Sequence, residues 1–96
     1  WCPFPDRESA KRAAATLLDE RLIACANILP GMISVYDWNG ARGEDEEVGM
    51  LIKTDAALLE AAIARLAELH PYEQPTILGW HCEATTPATA AWLRAL

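Results

Sequence analysis

The pair Asn39–Gly40 constrains the fold of this chain more than any other feature, because it joins two runs of β-forming residues. Asn-Gly is the preferred pair for a two-residue type I′ turn, since both positions require positive φ. The run over residues 23–38 is too long for one ordinary strand, so we expect Pro30–Gly31 to bend or bulge it. The sequence therefore predicts a long central β-hairpin.

The return strand of this hairpin changes character along its length. It begins with the polar segment 42–47 and ends in the apolar run 48–52, just before Lys53 and Thr54. Apolar strand residues favour burial, whereas consecutive charges favour solvent. We therefore expect one end of the hairpin to be buried and the other end to reach outward.

Two amphipathic helices flank the hairpin. The first is predicted over residues 7–22 with Asp6 as its cap, because apolar residues recur there at a spacing of three and four. The second follows a cap at Thr54 or Asp55 and carries a single apolar stripe. It is predicted to end at His70–Pro71, since the residue before proline resists helical ψ.

The C-terminal third is predicted to contain one strand and one short helix. Residues 76–82 are rich in β-formers and favour a last strand. Thr86 is a suitable cap and Pro87 suits the first helical position, so a short helix follows, with Trp92 and Leu93 facing inward.

This order of elements, αββαβα, is that of a ferredoxin-like sandwich without its first strand. That strand lies centrally in the fold, and only residues 1–3 are available for it. We expect Trp1 and Cys2 to be the tail of a strand whose earlier residues are absent from this sequence. The predicted fold class is thus α+β, a single domain over residues 1–96 with a βαββαβ order and a short C-terminal helix.

Composition and charge exclude several functional classes. The 96 residues carry a net charge of -6, which is the wrong sign for a nucleic-acid binder. The longest nearly uncharged stretch, residues 22–36, is interrupted by Pro30 and Gly31, so no membrane span is expected. Three cysteines without a CxxC pair argue against a disulfide framework and favour a reducing, cytoplasmic location.

Four segments, in their order and spacing, resemble the CutA family of divalent-cation tolerance proteins. They are ACANILPG at 24–31, SVYDWNG at 34–40, EVGMLIKT at 47–54 and HPYEQPTIL at 70–78. The resemblance implies a ferredoxin-like subunit, a homotrimer built through the long hairpin, and a role in tolerance of divalent metals, copper above all.

The chain departs from the family pattern at three places. Ala26 replaces a usual valine, Gly49 replaces an aliphatic residue, and the segment 88–91 is alanine-rich where the family tends to have a tyrosine. The first two changes are expected to loosen a strand pair locally. The third argues against a site that would use a C-terminal phenol.

Assembly is also expected on physical grounds, because a hairpin that extends beyond so small a core exposes backbone groups and aromatic faces. Tyr36 and Trp38 lie two residues apart and so share one face of the strand. We predict that they pack in the trimer interface, which we favour over ligand stacking, and we assign Trp92 to the same interface.

A metal site would draw on a small set of donors. We expect His70 and Glu73 to project from one loop, while Cys25 approaches from the sheet. Thiolate suits Cu(I), and imidazole with carboxylate suits Cu(II). The competing interpretations are an inert core thiol at Cys25 and a helix-ending role for His70.

Three hypotheses of function are open, and the first two concern the cleft between subunits. We expect Tyr36, Lys53 and Tyr72 to line it, so the leading hypothesis is a cation-binding trimer without an organic cofactor. The alternative is a signalling or adaptor trimer similar to PII-type regulators, with an anionic effector at Lys53. A third is a scaffold that binds no small ligand.

Nothing indicates a phosphate loop or a nucleophile, so no enzymatic activity is predicted.

Overall fold

The computed structural model describes residues 1–96 and shows an α+β protein. The elements in chain order are β1 (Cys2–Phe4), α1 (Arg7–Asp19), β2 (Cys25–Trp38), β3 (Ala41–Lys53), a 3-10 turn (Ala56–Leu58), α2 (Leu59–Leu69) and α3 (Pro87–Arg94). The three strands form one antiparallel sheet in the order β1-β3-β2. The predicted hairpin is therefore confirmed, and β1 joins it on the β3 side.

The turn chemistry of the hairpin is also confirmed. Asn39 has a φ of 51° and Gly40 a φ of 78°, the two positive values that a type I′ turn requires. The register shifts between Leu29 and Met32, where Gly31 has a φ of 74°. This irregularity lies at the predicted Pro30–Gly31 bulge.

The first helix is shorter than predicted, and its end has a clear cause. Arg21 adopts a φ of 58°, and the backbone N–H of Leu22 donates to the carbonyl of Leu17 at 3.0 Å. A left-handed residue followed by a hydrogen bond to a carbonyl five residues earlier is the Schellman motif, which ends a helix. Glycine is the usual residue at this position, so with an arginine there the sequence does not indicate where the helix ends.

The other helix boundaries follow the predicted caps. The Asp55 side chain accepts from the backbone N–H of Ala57 at 3.3 Å, so a 3-10 turn leads into α2. His70 ends α2 with a ψ of 140°, as expected before a proline. Thr86 caps α3 and Pro87 occupies its first turn.

The core lies between α1, α2 and one face of the sheet. Its largest fully buried side chains are Phe4, Leu17, Ile23, Met50, Leu66 and Cys2. Two of them come from β1, which shows that the N-terminal residues supply core side chains. The first strand includes Pro3 and Phe4, so the expectation that it ends at Cys2 is wrong.

The predicted strand over residues 76–82 does not form within one subunit. The segment makes one pair of strand-like backbone hydrogen bonds, between Trp1 and Leu78, at 2.7 and 3.0 Å. A single pair of this kind does not make a ladder. Trp92 is also not turned fully inward, since 49% of it is exposed beside an open groove near the end of α1.

Candidate functional site

The helices cover one face of the sheet and leave the other face uncovered. Paired residues of an antiparallel sheet share a face, so the register identifies the side chains on the uncovered side. We call this surface the open face. On β2 and β3 it carries Cys25, Asn27, Leu29, Met32, Ser34, Tyr36, Trp38, Ala41, Gly43, Asp45, Glu47, Gly49, Leu51 and Lys53.

One group of polar residues lies at the end of the open face where β2 begins and β3 ends. Cys25 is the register partner of Lys53, and Asn27 is two residues along the same strand. The Lys53 ammonium donates to Asn27 Oδ1 at 2.6 Å and lies 4.0 Å from Cys25 Sγ. We call these three residues the lysine cluster. Its thiol is half-buried on the sheet surface, whereas the buried core thiol is that of Cys2.

A second group lies farther along the hairpin. The Tyr36 hydroxyl donates to Asp45 Oδ2, and the Tyr72 hydroxyl donates to Glu47 Oε2 at 2.8 Å. We call these four residues the tyrosine cluster. Two phenols and two carboxylates thus share one region of the open face.

The electrostatics of the tyrosine cluster keep both phenols protonated. The hydrogen bond to Asp45 and partial burial raise the pKa of Tyr36. Burial, followed by the hydrogen bond to Glu47, raises the pKa of Tyr72 well above its usual range. Both phenols therefore remain hydrogen-bond donors, and the carboxylates supply the negative charge of the cluster.

A close approach between strands positions Tyr36. Its ring lies over Gly43, where an added Cβ would be 2.6 Å from the ring carbon Cε2. Trp1 covers Gly49 in the same way. Its indole takes the space of the aliphatic side chain that the resemblance to the CutA family leads us to expect at this position. This packing explains why the sheet tolerates two glycines in one strand.

The two clusters are far apart within one subunit. Glu47 and Lys53 are six residues apart on β3, which corresponds to roughly 20 Å at the rise of a strand. The predicted cleft residues Tyr36 and Tyr72 belong to one cluster, and Lys53 to the other. A single subunit therefore does not gather them into one pocket.

His70, predicted as a metal ligand, lies in a buried position with 7% exposure beside Tyr72. Its Nε2 is 2.8 Å from the carbonyl oxygen of Pro3, and its Nδ1 accepts the backbone N–H of Tyr72 at 3.0 Å. Both ring nitrogens thus have protein partners.

The predicted metal site of Cys25, His70 and Glu73 is not assembled in the subunit. No group of three or more His, Cys, Asp and Glu side chains is placed to hold a metal ion. The reason is that the thiol lies in the lysine cluster, the imidazole is buried and hydrogen-bonded, and Glu73 is exposed on its loop. These donors do not fit a three-ligand site within one chain.

Asp45 and Glu47 lie in the candidate site but were not among the site residues predicted from the sequence. The run of four acidic residues at 44–47 reads as a solvated arm. Its alternation does carry a signal, because Asp45 and Glu47 fall on the same strand face as each other. The hairpin register then places that face beside Tyr36.

Comparison with known proteins places this arrangement in a family. The family model of the CutA1 divalent ion tolerance protein matches residues 1–95. The chain belongs to the CutA family. A divalent-cation tolerance protein CutA from Pyrococcus horikoshii is 43% identical over 93 residues, covering 97% of this chain and 90% of that relative. The mouse Protein CutA is 35% identical over 89 residues, and this chain spans 50% of its length.

Solved CutA structures share the fold. CutA from Xylella fastidiosa superposes with a TM-score of 0.93 at 37% identity, covering 98% of this chain and 90% of that one. A related structure from Archaeoglobus fulgidus, with a TM-score of 0.92 and 28% identity, is described as a periplasmic divalent cation tolerance protein and covers 98% of this chain and 91% of that one. In the present CutA chain, none of the helices combines the length and apolarity needed to span a bilayer.

Proposed function

We propose that this protein acts in divalent-cation tolerance as a cytoplasmic homotrimer that binds a cation, with copper as the leading candidate, between its subunits. The observation that supports the proposal is the open face, which carries two polar clusters too far apart to act together in one chain. The proposed role is binding without catalysis, as the sequence predicts.

The exposed apolar surface supports assembly. Leu29 is 47% exposed and Trp38 55% exposed on the open face. Gly79 faces Leu59 and Ile63 of α2, so alternation turns Leu78 and Trp80 to the side away from this helix. Exposed apolar area of this kind on a soluble protein is characteristic of an interface.

The sheet also has unused edges. β2 is an edge strand over fourteen residues, and the segment 76–82 is extended without a ladder of its own. Unpaired strand edges favour pairing with another chain. We propose that this segment becomes the fourth strand of a ferredoxin-like sheet, next to β1, when neighbouring subunits supply further partners.

Assembly would combine the clusters of different subunits. The lysine cluster carries one positive charge and the tyrosine cluster two negative charges, so facing copies of the two are electrostatically complementary. Carboxylates suit hard divalent cations, while the Cys25 thiol would add an affinity for Cu(I). Each inter-subunit site would then contain donors that no single subunit brings together.

The test is cation binding by the assembled protein, measured by isothermal titration with Cu(II) and Zn(II). We expect Glu47→Gln to weaken binding by about ten-fold or more, because it removes a carboxylate without changing the side-chain shape. Glu68→Gln, an exposed helix carboxylate outside the open face, is the matched control. Equal affinities in wild type and Glu47→Gln would overturn the proposal.

Mixed oligomers test the inter-subunit origin of the site. Subunits with Glu47→Gln are refolded together with subunits carrying Cys25→Ser and Lys53→Ala. If each site takes one cluster from each of two neighbours, some sites in the mixture combine two intact clusters, and tight binding returns in that fraction. Binding that remains as weak as in the separate variants would contradict a shared site.

An anionic effector is the second candidate function, as in PII-type regulators. The observation that favours it is the charge of Lys53, whose hydrogen-bond partners are the neutral side chains of Asn27 and Cys25 and whose ammonium has no carboxylate within salt-bridge distance. Thermal-shift measurements with nucleotides and carboxylates are the test. Stabilisation that disappears in Lys53→Ala but persists in Lys11→Ala would support it, and stabilisation by metals alone would reject it.

A further inference from the structure

His70 occupies a position that differs from that of an exposed metal ligand. It follows α2 directly and is 93% buried, as its exposure of 7% implies. Its ring stacks on Phe4 with a centroid distance of 4.2 Å and lies 4.9 Å from the ring of Tyr72. The imidazole is thus held between the first strand and the loop that follows α2.

The hydrogen bonds of His70 determine which nitrogen carries the proton. A backbone N–H can only donate, so Nδ1 must accept from Tyr72 with its lone pair. A carbonyl oxygen can only accept, so Nε2 must donate its proton to Pro3. The geometry therefore requires the neutral imidazole with its proton on Nε2, and this tautomer uses both nitrogens.

A metal ion needs a free nitrogen lone pair, and this tautomer has none. Binding through Nδ1 would release the N–H of Tyr72, while binding through Nε2 would displace the carbonyl of Pro3 from its hydrogen bond. Either change would break a part-buried hydrogen bond and leave its backbone group without a partner. The donor set around His70 is therefore complete without a cation.

The same contacts orient the neighbouring tyrosine. Tyr72 is fixed at two points, since its backbone N–H bonds to His70 and its hydroxyl bonds to Glu47 at 2.8 Å. His70 also bonds to Pro3, so the loop after α2 is connected to β1 through His70. Through Tyr72 and Glu47 the same loop is connected to β3. The position of the phenol thus depends on the imidazole.

We propose that His70 is a positioning residue, a neutral bridge between Pro3 and Tyr72 that places the Tyr72 phenol on Glu47, and that Tyr72 and Glu47, rather than His70, face the cation. The second half of this inference rests on the proposed cation-binding function. The first half concerns the folded chain alone and is tested separately.

Nitrogen-15 NMR of the imidazole rings tests the bridge directly. The chain has two histidines, and the exposed His81 serves as the internal reference. We expect His70 to show one protonated nitrogen, Nε2, and one unprotonated nitrogen, Nδ1, and to keep both signals unchanged when Zn(II) is added to saturation. A proton on Nδ1, or a His70 nitrogen that shifts on Zn(II) binding, would overturn the proposal.

Substitutions distinguish a positioning residue from a ligand. We expect His70→Ala to move the Tyr72 ring resonances in the absence of metal and to weaken Zn(II) binding on the order of ten-fold, the usual effect of losing an outer partner at a metal site. His70→Gln supplies an amide that can donate to Pro3, so it should restore much of the affinity. His81→Ala is the control and should behave as wild type.

The outcomes separate this inference from the proposed function. Unchanged Tyr72 resonances in His70→Ala would show that the imidazole does not position the phenol. Loss of Zn(II) binding in His70→Gln as complete as in His70→Ala would identify the imidazole as a ligand. If wild type binds no cation, the proposed function fails, and the assignment of Tyr72 and Glu47 as cation-facing groups fails with it. The tautomer of His70 and the Tyr72 resonances would still decide whether His70 is a bridge.

Discussion

The positions of Tyr36 and Tyr72 are fixed by two different kinds of contact. Tyr36 rests on Gly43 of the paired strand, so its position follows from the local register of the hairpin. Tyr72 depends on His70 and Glu47, which come from separate parts of the chain. The first arrangement is local in the sheet, whereas the second requires the completed fold.

Asp6 allows a prediction at the same scale, because its carboxylate caps α1. It accepts the backbone N–H of Ser9 at 2.8 Å, and this bond lowers the pKa of Asp6 below its ordinary 3.8. A depressed pKa in the folded state adds stability above the unfolded value, and that stability is lost as the pH falls through the folded value. We expect wild type to lose this contribution progressively below pH 3.8, as measured by urea unfolding.

The control for this prediction is Asp6→Asn. Asparagine caps a helix about as well as aspartate but does not titrate. At neutral pH the two proteins should therefore have similar stability, and the difference between them should change only in the acid range. Parallel stability curves over the whole acid range would contradict a titrating cap.

At the scale of elements, the hairpin is set by its turn and its bulge. Gly40 has a φ of 78°, a value at which an added Cβ is strained although space is available around it. We expect Gly40→Ala to reduce the free energy of unfolding by about 1–2 kcal/mol, the usual cost of a left-handed residue with a Cβ. Urea denaturation followed by circular dichroism measures the change.

A second substitution in the same turn separates backbone strain from loss of the hairpin itself. Asn39→Gly keeps a residue that accepts positive φ, so we expect a change within about 0.5 kcal/mol. If Asn39→Gly destabilises the protein as much as Gly40→Ala, the preference for left-handed geometry is not the reason for the Asn-Gly pair.

At the scale of the whole molecule, the open face is expected to be the surface through which subunits associate. Leu29 lies on this face with 47% exposure, beside the bulge of β2. We expect Leu29→Glu to dissociate the proposed trimer into folded subunits, because a charge in a closed apolar interface has no partner. Analytical ultracentrifugation at micromolar concentration measures the mass.

Ala61→Glu is the matched change on the opposite side of the subunit, since Ala61 is exposed on α2. It should leave the mass of the assembly unchanged. A Leu29→Glu protein that keeps the wild-type mass would show that subunits associate elsewhere, and a wild-type monomer would remove the proposed inter-subunit sites altogether.

The features that could be predicted from the sequence are those that depend on contacts between residues close together in the chain. Local rules act over a few residues, and they correctly predicted the Asn39–Gly40 turn, the Pro30–Gly31 bulge and the caps at Asp6 and Thr86. Local rules were less reliable where no marker residue is present, as at Arg21, which ends α1 in a conformation that glycine usually adopts.

The candidate site depended on contacts that no short-range rule contains. His70 and Pro3 are 67 residues apart in the chain, and their hydrogen bond holds the imidazole, expected from the sequence as a metal donor, in a buried position. By itself the sequence determined the hairpin, its turn and the helices, because those depend on neighbouring residues. Only the tertiary structure decided that the candidate site residues lie in two clusters and that the segment 76–82 meets Trp1 through a single pair of backbone hydrogen bonds, because those outcomes depend on which distant segments meet.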